Sequence, residues 1–310
     1  MSDKKTRLRL AVSGCLLGEK IRYDGSAAAD RFVINQLGRH FELVSFCPEM
    51  GIGLGSPRPA INLYGAGARA RAVVEDDLKS DLTGRFFAYS KNVLASLADT
   101  SGFVFKHRSP SCAVTDAKII GKNKNINGPG IFARMVMNLG SMPVIDERTL
   151  ASLKLRDHFL EKVYLRGQWL ECCRTAGGAD ALAEFQNSMQ IVVASRGREA
   201  AGRWRELHVS RGKRGWERML TELMKLVDHT ASGSGLVLAM KMTSRELCKR
   251  APGVEARRID NIVSRFEKGQ TPLHEALDAM KPLTCKSDHG NPARMFIDSQ
   301  LAWASMRTMG

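Results

Sequence analysis

Strand and helix signals alternate through the first half of this chain and then cease, and that change near residue 150 constrains the fold more than any other feature. Residues 8–12 and 41–46 are apolar runs of strand length, with helical spacing over residues 30–37 between them. Residues 71–74, 102–105 and 142–145 continue the strand series, and residues 90–97 read as a helix. Strands separated by helices of this length favour a parallel sheet with helices on its faces. The expectation is an α/β, Rossmann-like parallel sheet in an N-terminal domain over residues 1–150.

Beyond that point the apolar period changes. Phe159, Leu160, Val163, Tyr164 and Leu170 fall at helical spacing. So do Trp216, Leu220, Leu223 and Val227, and again Ile259, Ile262, Val263 and Phe266, closed by Gly269 as a helix-ending glycine. Thr271-Pro272 reads as a helix cap followed by a first-turn proline. Residues 151–310 are therefore expected to form an all-α accessory domain.

No run approaches eighteen consecutive apolar residues, so no membrane span is expected. Residues 1–9 are basic and pass directly into a strand-like run, without the apolar segment of a signal peptide. That pattern predicts a cytoplasmic protein, in which thiols stay reduced. Seven cysteines, an odd number, are not a disulfide framework in a chain of this length. The formal net charge of +15 is spread over both halves and favours contact with a polyanion, of which nucleic acid is the usual one.

The placing of the first-half cysteines carries the chemistry. Cys15 lies just past the first strand, Cys47 ends the second, and Cys112 follows the strand at 102–105 by a short loop. In an open parallel sheet, ligands bind outside the carboxyl ends of the strands, so three cysteines so placed converge on one edge. Three converging thiolates suit zinc or an iron–sulfur cluster. With only three, a four-iron cluster keeps one iron free of protein ligands, able to bind a soft sulfur atom. Glu49 stands two residues from Cys47, where a carboxylate can move protons, and Ser109 and Ser111 precede Cys112 in the same loop.

The segments Ser13-Gly14-Cys15-Leu16-Leu17-Gly18, Arg22-Tyr23-Asp24-Gly25, Cys47-Pro48-Glu49, Gly53-Leu54-Gly55-Ser56-Pro57-Arg58 and Ser109-Pro110-Ser111-Cys112 resemble the thiouracil desulfurase family. The resemblance covers about residues 8–150. It implies a 4Fe–4S cluster held by Cys15, Cys47 and Cys112, with an open iron that captures the sulfur of a thiolated uracil, which is hydrolysed without net redox change. It also implies that Glu49 and Ser109 handle protons. Ala113 departs from the pattern, which usually has glycine after the cysteine. Residues 155–163 are similar to the junction found in the family's long form, which acts on 4-thiouridine in tRNA. Residues 183–190 and 233–238 depart from that form, lacking its histidines and lysine.

Among other signals, Gly51-Ile52-Gly53-Leu54-Gly55 reads as close backbone approach to a cluster or substrate. Lys122-Asn123-Lys124 reads as a donor-rich turn suited to phosphate. The basic run Arg196, Arg198, Arg203, Arg205, Arg211, Lys213, Arg214 and Arg218 reads as a face that binds an RNA backbone. Cys172, Cys173, Cys248 and Cys285 are read as structural. The reading that follows is a desulfurase acting on thiolated uracil, free or within tRNA. Its rivals are a non-enzymatic iron–sulfur module for RNA binding or redox sensing, and a zinc hydrolase using the same cysteines. His107 has no assigned role.

Overall fold

The structure is a computed structural model, and it describes residues 7–175, 179–208, 212–249, 253–284 and 290–302. The chain divides into two compact units, Met1–Phe159 and Leu160–Gly310, with the division inside the helix Leu153–Thr175.

The first unit is an α/β layer structure carrying two sheets among its described residues. One sheet is all-parallel, made of β1 (Arg9–Ser13), β2 (Glu42–Phe46), β6 (Gly102–Phe105) and β9 (Val144–Asp146), in the order β2-β1-β6-β9. Its registers pair Ser13 with Phe46, Val12 with Val104 and Phe105 with Asp146, so the four carboxyl ends finish nearly level. β1 and β6 are buried almost throughout, as expected of central parallel strands covered on both faces. Phe103 and Phe105 stack at 3.8 Å between ring centroids, with Phe132 meeting both edge-on. These rings anchor β6 beneath the loop that carries Cys112.

The second sheet is mixed and departs from the expectation of a single parallel sheet. It contains β3 (Ile61–Tyr64), β4 (Arg71–Val74), β5 (Asp77–Asp81), β7 (Ala117–Ile120) and β8 (Ile126–Gly128), in the order β5-β4-β3-β7-β8. Residues 71–74 thus form a strand as expected, but an antiparallel one outside the parallel sheet. The helix expected over residues 90–97 spans Thr83–Ser96, and the helical stretch after Asp30 takes a π-turn at Val33–Leu37.

The second unit is helical, as the apolar spacing predicts. Its helices Lys213–Leu226, Gly233–Cys248, Val254–Glu267, Leu273–Met280 and Pro292–Leu301 share one core with Leu223, Met240, Ile259, Leu277 and Phe296. Gly269 follows the third of these with φ +69°, the left-handed conformation a helix-ending glycine supplies. Pro272 occupies the cap position itself rather than the first turn, so the cap shifts by one residue and the Thr271 hydroxyl makes no cap bond. Trp204 is buried, and its Nε1–H donates to the Gln186 carbonyl while Gln186 Nε2 donates to the Trp204 carbonyl, at 2.9 and 2.8 Å.

Arg196 leaves the expected basic face. Its guanidinium is buried and forks onto Glu161 at 2.6 and 3.0 Å, and Gln300 donates to the same carboxylate at 2.7 Å. A buried charge needs a partner of this kind, and burial removes it from any exposed surface. Arg198, Arg203, Arg205, Arg214 and Arg218 are exposed. Arg211, the side chain of Lys213 and Cys285 lie outside the described residues. Cys172 and Cys248 point their thiols at the carbonyls of Ala181 and Ala256, in keeping with structural roles, whereas Cys173 is exposed. No helix among the described residues is long and apolar enough to cross a membrane.

Candidate active site at the carboxyl ends of the parallel strands

Each parallel strand delivers a chemical group just past its last residue. β1 runs through Ser13 into a tight 3₁₀ turn, Gly14–Leu17, that carries Cys15. Gly14 leaves room there for neighbouring side chains, since an added Cβ would lie 2.5 Å from Ser45 Oγ. β2 ends one residue before Cys47, which opens the short helix Pro48–Gly51 containing Glu49. β6 runs into Lys106, His107 and the loop to Cys112, and β9 ends one residue before Glu147. Cys15, Cys47, Cys112, Glu49, His107 and Ser109 all line one cavity of about 470 Å3. The convergence expected of the three cysteines is present at this level.

The Cys112 loop is held from several sides. Ser109 Oγ accepts the backbone N–H groups of Ser111 and Cys112, at 3.2 and 3.1 Å, which folds the loop into a tight turn. The helix Ile131–Met137 donates its free first-turn amides to the same loop: Ile131 to the Pro110 carbonyl, Phe132 and Ala133 to that of Ser111. Gly130 lies against the loop, and an added Cβ there would sit 2.5 Å from the Ser111 carbonyl carbon. Arg108 takes the left-handed conformation at φ 55°, with its N–H donating to Asp116 Oδ1 at 2.8 Å. Such a conformation in a residue with a side chain costs about 1–3 kcal/mol and needs support of this kind.

Glu49 is partnered by Ser111, not Ser109. Ser111 is fully buried, and its hydroxyl donates to Glu49 Oε1 at 2.7 Å. Arg58 donates Nε and Nη2 to Oε2 at 2.9 and 2.5 Å, with both side chains nearly closed off from solvent. The glycine-rich turn makes that return possible. Gly53 and Gly55 take φ +77° and +73°, and Arg58 Nη1 donates to the Gly55 carbonyl at 2.6 Å. Sequence reasoning does not reach Arg58 as a partner for Glu49; its one signal is its place at the end of the glycine turn.

The thiols are neutral groups as the chain stands. Burial and the nearby Cys47 push Cys15 up to about 11. Burial raises Cys47, although the Met50 N–H works against it. Cys112 stands well above the ordinary thiol value because it is buried and faces Cys47, despite a hydrogen bond from Ser13. Metal ligation requires thiolates, so a metal centre held by these groups would displace protons. Among the described residues, no three His, Cys, Asp or Glu side chains are drawn together tightly enough to hold a metal ion. The three thiols line the same cavity, and soft sulfur ligands are the donor type that iron–sulfur clusters use.

Glu147 stands behind Lys106 and His107, which line the cavity. His107 Nδ1 contacts Glu147 Oε1, the His107 backbone N–H donates to Oε2 at 2.8 Å, and Lys106 Nζ donates to Oε1 at 2.5 Å. Burial pushes the Glu147 carboxyl up, but these hydrogen bonds outweigh it and hold the group below the usual carboxylate range. Nothing in the sequence marks Glu147; the pairing of β9 with β6 brings it to Lys106 and His107.

Residues 10–148 match the family model for 2-thiouracil desulfurase. Among solved structures, a 4Fe–4S-dependent thiouracil desulfidase, TudS, is similar at 27% identity, covering 48% of this chain and 97% of its own, with a TM-score of 0.39. No curated protein matches the chain.

Proposed function

We propose that the unit containing residues 10–148, which match the 2-thiouracil desulfurase family model, desulfurates a thiolated uracil, with Cys15, Cys47 and Cys112 holding a 4Fe–4S cluster that keeps one iron open. The observation that carries the reading is the gathering of these three thiols, with Glu49 and Ser109, around a single cavity. When bound, the cluster supplies a soft Lewis acid for the thiocarbonyl sulfur. The overall change is hydrolytic: carbon exchanges sulfur for the oxygen of water, and no electrons are transferred.

The protein's own groups position and move protons. Ser109 Oγ accepts two backbone N–H groups, which leaves its O–H to point a proton into the cavity it lines. Glu49 is fixed by Arg58 and Ser111, and exchanges protons from a carboxylate whose orientation is set. The parallel sheet is read as Rossmann-like in the sense that its ligand gathers at the carboxyl ends of the strands. The reducing cytoplasm is the compartment in which such thiols persist.

A specific observation also favours a polynucleotide carrier for the base. Arg198, Arg203, Arg205, Arg214 and Arg218 are exposed on the helices Arg198–Arg205 and Lys213–Leu226, which suits contact with RNA phosphates. We take thiolated tRNA as the substrate and free thiouracil or thiouridine as its minimal forms. Anaerobically prepared protein with its iron and sulfide quantified is the material to test. It is expected to release sulfide from 2-thiouracil, 4-thiouridine and thiolated tRNA. Cluster-loaded protein that leaves all three untouched overturns the reading.

A further inference from the structure

Hydrolysis of a thiocarbonyl needs a base for water, and the two groups assigned so far are poorly suited to be the first acceptor. Glu49 already receives Ser111 on one oxygen and two Arg58 N–H groups on the other, so most of its acceptor positions are taken. Ser109 presents a hydroxyl, which is a donor at neutral pH.

The same cavity also carries a histidine. His107 lines it, with its side chain about one quarter exposed. Its Nδ1 is turned away toward Glu147 and Lys106, and its backbone N–H is tied to Glu147 as well. Nε2 is the one polar atom of the residue with no hydrogen-bond partner among the described residues. Lys106 Nζ also stands 2.6 Å from Nδ1, but its protons are taken up by Glu147 Oε1; with Nδ1–H donating to that carboxylate, the Nε2 lone pair is left available. Glu147 is held below the usual carboxylate range, so it is ionised and able to impose that choice. Lys106 binds the same oxygen, anchoring the carboxylate behind the ring.

Resting on the desulfuration reading above, we infer that His107 is the general base of this cavity, with Glu147 as its positioning residue. Nε2 takes one proton from water as the water oxygen bonds to the thiocarbonyl carbon. When the carbon–sulfur bond breaks, that proton goes to the departing sulfur. The second water proton reaches the sulfur by way of the Ser109 hydroxyl, which gives up its own proton and takes this one, so one water and one thiocarbonyl give one carbonyl and one hydrogen sulfide.

The test uses the cluster-loaded full chain, with His107→Gln and His107→Ala compared with the unaltered protein. General-base catalysis contributes about 100-fold to 10,000-fold, so kcat should fall at least 100-fold in both variants while iron and sulfide content stay unchanged. Added imidazole should restore part of the rate in His107→Ala. Independently of turnover, the imidazole resonance of His107 should shift when 2-thiouracil is added, and that signal should be missing from His107→Gln. A kcat within about twofold of the unaltered protein in His107→Gln overturns the inference. So does a lowered rate that imidazole leaves unrestored together with an imidazole resonance that ignores 2-thiouracil, since that combination describes a purely structural histidine. Should His107→Ala fail to load its cluster, the glutamine variant and the resonance decide. An unaltered, cluster-loaded protein that is inactive on every thiolated pyrimidine refutes the desulfuration reading instead.

Discussion

The hydroxyl of Ser111 donates to Oε1 of Glu49 at 2.7 Å, joining the loop after β6 to the short helix after β2 through a bond closed off from solvent. Ser111→Ala leaves that carboxylate oxygen buried without its donor. The variant should lose about 1–3 kcal/mol of stability, read by urea denaturation of the reduced protein. Ser109→Ala, which strips an acceptor from two backbone N–H groups in a half-buried turn, should cost no more than about 2 kcal/mol and serves as its comparison.

Gly130→Ala tests how tightly the Cys112 loop is seated. The added Cβ would fall 2.5 Å from the Ser111 carbonyl carbon and 2.8 Å from the Cys112 nitrogen, both of them backbone atoms that have no rotamer to adopt. Overpacking of this sort costs about 1–3 kcal/mol and moves the loop. The expected outcome is lower iron per chain after reconstitution, together with a lower Tm. Full iron loading at unchanged Tm would show that the loop has room to yield.

Glu147→Gln should destabilise the first unit in a pH-dependent way. The folded carboxyl titrates below its ordinary value of about 4.5, so its contribution is fully present above that pH and disappears as pH falls through the folded value. Removing the charge should therefore cost about 1–3 kcal/mol at pH 7. The gap between the two proteins should narrow in acid, below the carboxylate range. Denaturation curves at several pH values measure this, and a gap independent of pH would remove the charge from the explanation.

Paired substitution of Arg214 and Arg218 by Gln tests the helical unit. The two stand one turn apart on the exposed side of the helix Lys213–Leu226. Affinity for tRNA should fall, and the slope of log K against log salt should become shallower by about one unit for each phosphate that the variant no longer neutralises. Sulfide release from free 2-thiouracil should be unchanged. Equal salt slopes before and after substitution would place the RNA elsewhere.

The parts of the fold legible in the sequence are those whose signal is local. β1, β2 and β6 are apolar runs of strand length, and the second unit declares itself through apolar residues at helical spacing. The mixed sheet is hidden because its strands are short and owe their shape to partners. β5, Asp77–Asp81, has one apolar residue in five, and β8 spans only Ile126–Gly128. At the site, Cys15, Cys47 and Cys112 are visible as residues placed after strands. The Glu49–Arg58 pair is not, because it depends on a turn that two left-handed glycines reverse. Arg196 is misplaced by sequence reasoning because a basic run says nothing about which of its members finds a buried carboxylate.

The level ends of the four parallel strands also set the order of events during biogenesis. Cys15, Cys47 and Cys112 stay on distant stretches of chain until β2 and β6 have both paired with β1. Pairings between segments so far apart form slowly. Iron delivered to the growing chain therefore meets single thiols until the sheet has closed. On the proposed reading, a cluster retained by all three thiols is then a record that the sheet was completed.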